Sequence, residues 1–191
     1  MPAAPPPFSF DADRLSLDFL STLSNRGSEA AVERLPDAAS LTAWLDAAEL
    51  GPLSNRVTQG DLAAARGLRE AIFGVVDAAM RGESPAAEAV DRVNLVAEPA
   101  LPSLRLVREQ GGVAGQRRRL NVQEALSAVA RDAIDLLAGE PVSRLRECEA
   151  EDCTRLYIDA SRGRRRRWCS AARCGNRARV SAHRARARRD D

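Results

Sequence analysis

The stretch RLRECEAEDCTRLYIDASRGRRRRWCSAARCGNRARVSAHRARARRDD, residues 144–191, decides how this chain is read. It holds all four cysteines, Cys148, Cys153, Cys169 and Cys174, spaced C-x4-C, fifteen residues, then C-x4-C. Two close pairs joined by a hairpin-length segment deliver four thiolates to a single tetrahedral zinc. A disulfide framework needs an oxidising compartment instead. The opening MPAAPPPFSFDADR has neither a basic start nor an apolar core of signal-peptide length, so a cytoplasmic chain with one zinc is expected. Size points the same way. A unit this small buries too little apolar area to fold alone, and a structural zinc contributes about 10–16 kcal/mol in small finger peptides.

The spacing predicts a strand over Arg155–Asp159, a turn over Ser161–Arg164 and a return strand over Arg165–Trp168. Ser170 is placed to cap a helix that begins near Cys174. Gly175 removes a side chain where backbone N–H groups would approach a thiolate. Asp159 faces many arginines and reads as a structural ion-pair partner. Tyr157 and Trp168 read as the miniature core, packed across the turn. A knuckle, a hairpin and a helix bearing the last ligand pair make a treble-clef-like finger.

From Arg144 onward there are 15 Arg against 7 Asp and Glu, a net of +8, while the preceding chain nets −6. The overall +2 conceals this division. Every basic side chain is Arg, and planar guanidinium forks suit phosphate and guanine. Arg162, Arg164, Arg165 and Arg166 at the turn, with Arg177 and Arg184 on one face of the helix, are the expected nucleic-acid contacts. Double-stranded DNA is the leading partner. Single-stranded or structured RNA, or an acidic protein partner, remain as alternatives for the same surface. His183 is the one histidine and is not needed as a ligand.

Asp159-x-Ser161, Arg166-Arg167-Trp168-Cys169-Ser170 and Cys174-Gly175-Asn176-Arg177-Ala178 together resemble the CGNR zinc-finger family of bacterial proteins. Ala171 stands where that family often has Met, and Tyr157 where it usually has Phe. Neither departure touches a ligand.

Ahead of the finger the composition is globular, without a membrane-length apolar run or an internal repeat. Phe8 and Phe10 are candidates for an edge strand, and Arg14–Leu23 reads as a helix capped by Asp13. Pro36–Leu50 reads as a helix with Leu41, Trp44, Leu45 and Ala48 inward, ended by Gly51-Pro52. Thr58–Arg81 carries the strongest helical stripe and stops at Gly82. Another helix opens at Ser84-Pro85 and runs to Ala97. Gly111-Gly112 joins Ser103–Arg108 to Val113–Leu120 as a hairpin. Asn121-x-x-Glu124 is a capping box for a helix with Leu126, Val129, Ala133, Ile134 and Leu137 inward. The fold class is therefore α+β: a mainly helical N-terminal domain with a small hairpin, residues 1–140, and the finger, residues 141–191.

Leu17-Asp18-Phe19 with Thr22, Trp44-Leu45, Leu68-Arg69-Glu70 and Asn94 resemble the ABATE-type domain that accompanies the finger in its family. Ser21 stands where that family commonly has Asn. The resemblance implies a stress-related transcriptional regulator whose N-terminal domain binds a small-molecule effector. Asp18, Thr22, Arg69, Glu70 and Asn94 are the residues it would use, converging on one cavity. The rival for Arg69 and Glu70 is an ion pair at the core edge that fixes two helices. The N-terminal domain has no Cys or His for thiol or imidazole chemistry and no phosphate loop, so an enzyme is not expected.

Overall fold

Thr58 caps the longest helix through a reciprocal capping box with Asp61, and the helix ends at Gly82, whose φ of +70° no branched side chain adopts cheaply. The computed structural model describes residues 8–187 except 104, 117, 140, 141, 151 and 152, without the side chains of 109, 116 and 182–187. The elements run α1 Leu15–Leu20, β1 Leu23–Ser24, β2 Val32–Glu33, α2 Ala38–Ala47, α3 Gln59–Arg81, α4 Ala87–Ala97, β3 Arg105–Glu109 and β4 Gly112–Gln116. They continue with α5 Val122–Gly139, β5 Leu145–Glu147, β6 Leu156–Ile158 and α6 Asn176–Ala187. The fold is α+β and mainly helical, and the three sheets among the described residues are antiparallel pairs: β1 with β2, β3 with β4 and β5 with β6. No described helix is long and apolar enough to cross a membrane.

α3 packs on α4 and α5, and α1 lies across both α3 and α5. Leu17, Phe19, Leu41, Trp44, Leu68, Ile72, Val76, Val122 and Val129 fill the centre. Phe19 tilts against Trp44 at 4.9 Å between centroids. The same apolar cluster continues without a break into Leu145, Cys148, Leu156, Tyr157 and Ile158 of the finger.

Several expectations change. Phe8 and Phe10 lie in irregular chain, and no strand forms there. Asp13 does not cap α1; it has φ +65°, and the cap position is Arg14. The free amide of Ser16 is taken instead by Asp132 of α5 at 2.8 Å, and Arg14 pairs with the same carboxylate at 3.0 Å. A distant carboxylate thus does the work expected of a local cap. On α5 the capping box of Asn121 and Glu124 forms as expected. However, Ile134 is 36% exposed and Leu136 is buried, so the buried stripe is rotated from the expected one. β4 ends at Gln116 rather than Leu120. The expected linker residues Glu140 and Pro141 lie outside the described residues.

Candidate metal centre and nucleic-acid interface

β5 and β6 bracket the first cysteine pair. Cys148 follows β5 and bonds through its amide to the carbonyl of Arg155, and the amide of Cys153 turns back to Ala150. The second pair is set by a turn of π-helix, Ala171–Gly175, capped by Ser170. The four sulfurs lie within 4.8 Å of one another, with Cys153–Cys169 and Cys169–Cys174 both at 3.7 Å. A tetrahedron with zinc–sulfur bonds of about 2.3 Å has edges of about 3.8 Å, so the cage fits the ion. A disulfide needs about 2.05 Å, which no pair approaches, and all four cysteines are free.

The protonation chemistry of the cluster fits a cation as well. The Cys153 thiol is pulled down to about 5 by the hydrogen bond from Cys169 and by the backbone amide of Arg155. Cys169 is pushed far up, by that same partnership with Cys153, by burial and by its sulfur neighbours. Thiols this close cannot all ionise unless a positive ion stands among them. Cys148, Cys153, Cys169 and Cys174 are positioned to hold one metal ion, which fits the single Zn2+ of a zinc finger. The amide of Cys169 reaches the Cys148 sulfur at 3.4 Å, and the guanidinium of Arg177 reaches the Cys174 sulfur at 3.6 Å. These donors draw off part of the charge of the thiolates.

The return strand at Arg165–Trp168 does not form. Asp159, 1% exposed, folds the segment into a turn, accepting from the amide and hydroxyl of Ser161 and from the amide of Arg166. The Ser161 hydroxyl, burial and the backbone amides, in that order, govern this carboxyl, and the donors win, so it stays below the usual carboxylate range. Asp159 is thus a turn cap in place of the ion-pair partner expected: its carboxylate is taken by Ser161 and by a backbone amide, and no guanidinium pairs with it among the described residues. β6 pairs with β5 instead, and Tyr157 donates its hydroxyl to the carbonyl of Arg166 at 2.6 Å. Gly175 serves packing rather than sulfur: a Cβ there would meet the Trp168 ring at 3.3 Å, and its amide goes to Ser170.

The basic residues separate into two kinds. Arg162, Arg164 and Arg165 are exposed, and their guanidinium groups have no protein partner among the described residues. Arg166, expected beside them, is committed to the protein. It stacks on Tyr157 at 4.5 Å, pairs with Asp13 at 2.6 Å, and donates to the carbonyls of Trp168, Asp11 and Cys169. Arg177 is exposed apart from its sulfur contact. Arg184 lies on α6, and its side chain, like those of His183 and Arg186, is outside the described residues.

Residues 8–14 lie against the finger, which the sequence did not suggest. Arg155 and Arg173 both reach the hydroxyl of Ser9, Arg173 also pairs with Asp11, and Ile158 donates its amide to Ala12 at 3.3 Å. The only advance signal was the opposite charge of the two ends.

In the N-terminal part, Thr22, Arg69 and Glu70 come together as the core-edge ion pair. Arg69 is 2% exposed and donates to Thr22 at 3.0 Å, to Glu70 at 3.0 Å and to both oxygens of Glu33 at 2.8 and 2.6 Å. Arg26 adds a second bond to Glu70 and lies over Phe73. Burial opposes ionisation of Glu33, but the bonds from Arg69 and from the Leu35 amide hold its carboxyl below its ordinary range. Glu33 and Arg26 were missed because neither sits in a periodic pattern. Asp18 is separate: its carboxylate accepts from the amide of Ala12, and burial pushes it up to about 7. Asn94 is exposed and lines a different space, a cavity of about 580 Å³ between α4 and α5 that none of the other four residues lines. The five residues do not converge.

Two family models match the chain. Residues 144–187 match the CGNR zinc finger. Residues 13–140 match ABATE, described as a "putative stress-induced transcription regulator". No curated protein matches the chain. The first-named match carries the four-cysteine cage and the second spans well over half the sequence, so the chain belongs to the ABATE family and ends in a CGNR zinc finger.

Proposed function

We propose that this protein is a zinc-dependent, DNA-binding transcriptional regulator of the cytoplasm and has no enzymatic activity. Residues 141–191 bind duplex DNA, and residues 1–140 respond to a small molecule. The observation that carries the reading is the turn held beside the metal cage, with Arg162, Arg164 and Arg165 exposed and without a carboxylate partner. Three guanidiniums so close together repel one another, and a polyanion relieves them. Arg177 and Arg184 extend the surface along α6, at i and i+7 on one face. Arg166 supports the turn from behind.

We assign the effector to the cavity beside Asn94 rather than to Arg69, which is buried and spends four of its five donors on Glu33, Glu70 and Thr22. Its volume lies within the range of small-molecule sites. Leu15, Leu101 and Ile134 supply apolar wall, and Arg131 and Asp135 supply charge.

The test is a titration of labelled duplexes selected from random sequence, with single-stranded RNA of equal length as competitor. Zinc-loaded protein should hold its selected duplex against that competitor and lose it on chelation. Preference for the RNA would transfer the surface to RNA recognition. Binding to neither, with capture of an acidic protein through the same arginines, would make the finger an interaction module.

A further inference from the structure

β3 and β4 form a two-stranded ribbon that packs substantially on no other element. Such a ribbon is marginally stable in water unless something covers a face. Val107 and Ala114 on one face are half-buried. On the other face Leu106 is 79% exposed and Val113 69% exposed, with Arg108 directly across from Val113 in the ladder. Arg105, on the Val107 face at the base of the ribbon, and Arg119 just beyond the ribbon are exposed too. None of these three arginines has a partner for its guanidinium among the described residues, whereas Arg118 is taken by Glu124. Residues 105–119 contain five Arg and one Glu. Two copies of so basic a ribbon repel, which disfavours a second chain as the covering partner and favours a polyanion.

We propose that the β3–β4 ribbon is a second nucleic-acid-binding surface, lying in a groove of the same duplex that the finger holds. Arg105, Arg108 and Arg119 contact phosphates, and Leu106 and Val113 lie against the sugars or a base step of the groove. This rests on the DNA-binding reading above and adds a site to it. The ribbon precedes the N-terminal end of α5, and the finger turn sits beside Asp13 through Arg166, so the two surfaces are separate places on the molecule.

The experiment uses the full zinc-loaded chain and three variants: Arg105→Ala/Arg108→Ala, Leu106→Gln, and Arg164→Ala/Arg165→Ala at the finger turn. The ribbon arginine pair should flatten the slope of log K against log salt by about 2 and weaken binding about thirtyfold at ~0.15 M salt, from ~0.9 counterions per contact. Its footprint should lose protection in a region distinct from the one that the finger-turn variant loses. Leu106→Gln should weaken binding and leave the slope unchanged, because it removes no charge. Unchanged affinity and slope in the ribbon variants, while the finger-turn variant is impaired, would overturn the ribbon and leave the finger intact. If wild type binds no duplex, the underlying reading falls and the ribbon falls with it. Two other results reassign the ribbon and overturn the proposal. One is binding to phosphatidylserine vesicles, lost in the ribbon variants, without any effect on DNA. The other is a dimer in solution that Leu106→Gln dissociates, again without any effect on DNA.

Discussion

The cluster around Arg69 and the turn at residues 162–165 are both built on arginine and are put to opposite uses. Arg69 is buried, and four of its five N–H donors are divided among Glu33, Glu70 and Thr22. Arg162, Arg164 and Arg165 are exposed and have no carboxylate in reach among the described residues. The difference is the supply of acceptors, not the side chain. Arg166 shows how local that rule is, since it belongs to the basic run by sequence and to the structural kind by geometry.

The largest effect that tests this contrast is removal of the metal. Cys169→Ser should abolish zinc content in elemental analysis and withdraw most of a binding energy of about 10–16 kcal/mol. Because the apolar cluster runs from the finger into the helices, chelation should also lower the melting midpoint of the whole chain. An unchanged midpoint for the helices would show that the two parts are uncoupled.

Next comes Arg69→Met, which strands Glu33 beside the core. It should cost about 3–5 kcal/mol in a denaturant titration, as expected for breaking a buried pair from one side. A cost under ~1 kcal/mol would make the cluster a surface feature despite its burial.

Asp18 sharpens the contrast from the acidic side. It is 6% exposed and, unlike Glu33, accepts no guanidinium hydrogen bond. The folded chain holds its proton to about pH 7, while an ordinary aspartate releases it near 3.8. The stabilisation from this group is therefore full below the unfolded value and is lost as pH rises through about 7. Wild type should lose about 2–4 kcal/mol between those limits through this group. Asp18→Asn, which keeps an acceptor for the Ala12 amide, should lack that part of the slope. Parallel pH profiles for the two proteins would remove Asp18 as the cause.

The smallest effect on stability belongs to the turn. Arg164→Ala/Arg165→Ala should change unfolding by no more than about 0.5 kcal/mol. The same pair should flatten the salt slope of DNA binding by about 2. Arg166→Ala should do the reverse and destabilise by about 1–3 kcal/mol through lost hydrogen bonds and ring contact. Equal behaviour of the two variants would erase the distinction drawn here.

The cage was legible because four thiols at paired spacing have few other uses, and helix ends were legible where the capping partner lies three residues away, as at Asn121 and Glu124. The cap of α1 was not, because its partner, Asp132, is 116 residues distant. The return strand failed because Asp159 takes the amide of Arg166 that a ladder would have used. The proposed effector residues failed as a set because a charged residue beside an apolar stripe looks the same whether it awaits a ligand or already holds a partner. Glu33, the partner that settles the matter for Arg69, sits in a two-residue strand with no pattern of its own.

The dependence of α1 on Asp132, and of residues 9–12 on Arg155, Ile158 and Arg173, sets an order for biosynthesis. At about 5–20 residues per second, the first helix waits roughly 6–25 s for its capping carboxylate, and the segment before it waits longer still. Leu17, Phe19 and Leu20, which end up buried, spend that interval without α5, against which α1 packs. The nascent chain therefore offers the hydrophobic side chains of α1 to chaperones until α5 is made. Ser9 and Asp11 acquire their last partner only when Arg173, next to Cys174, has been made.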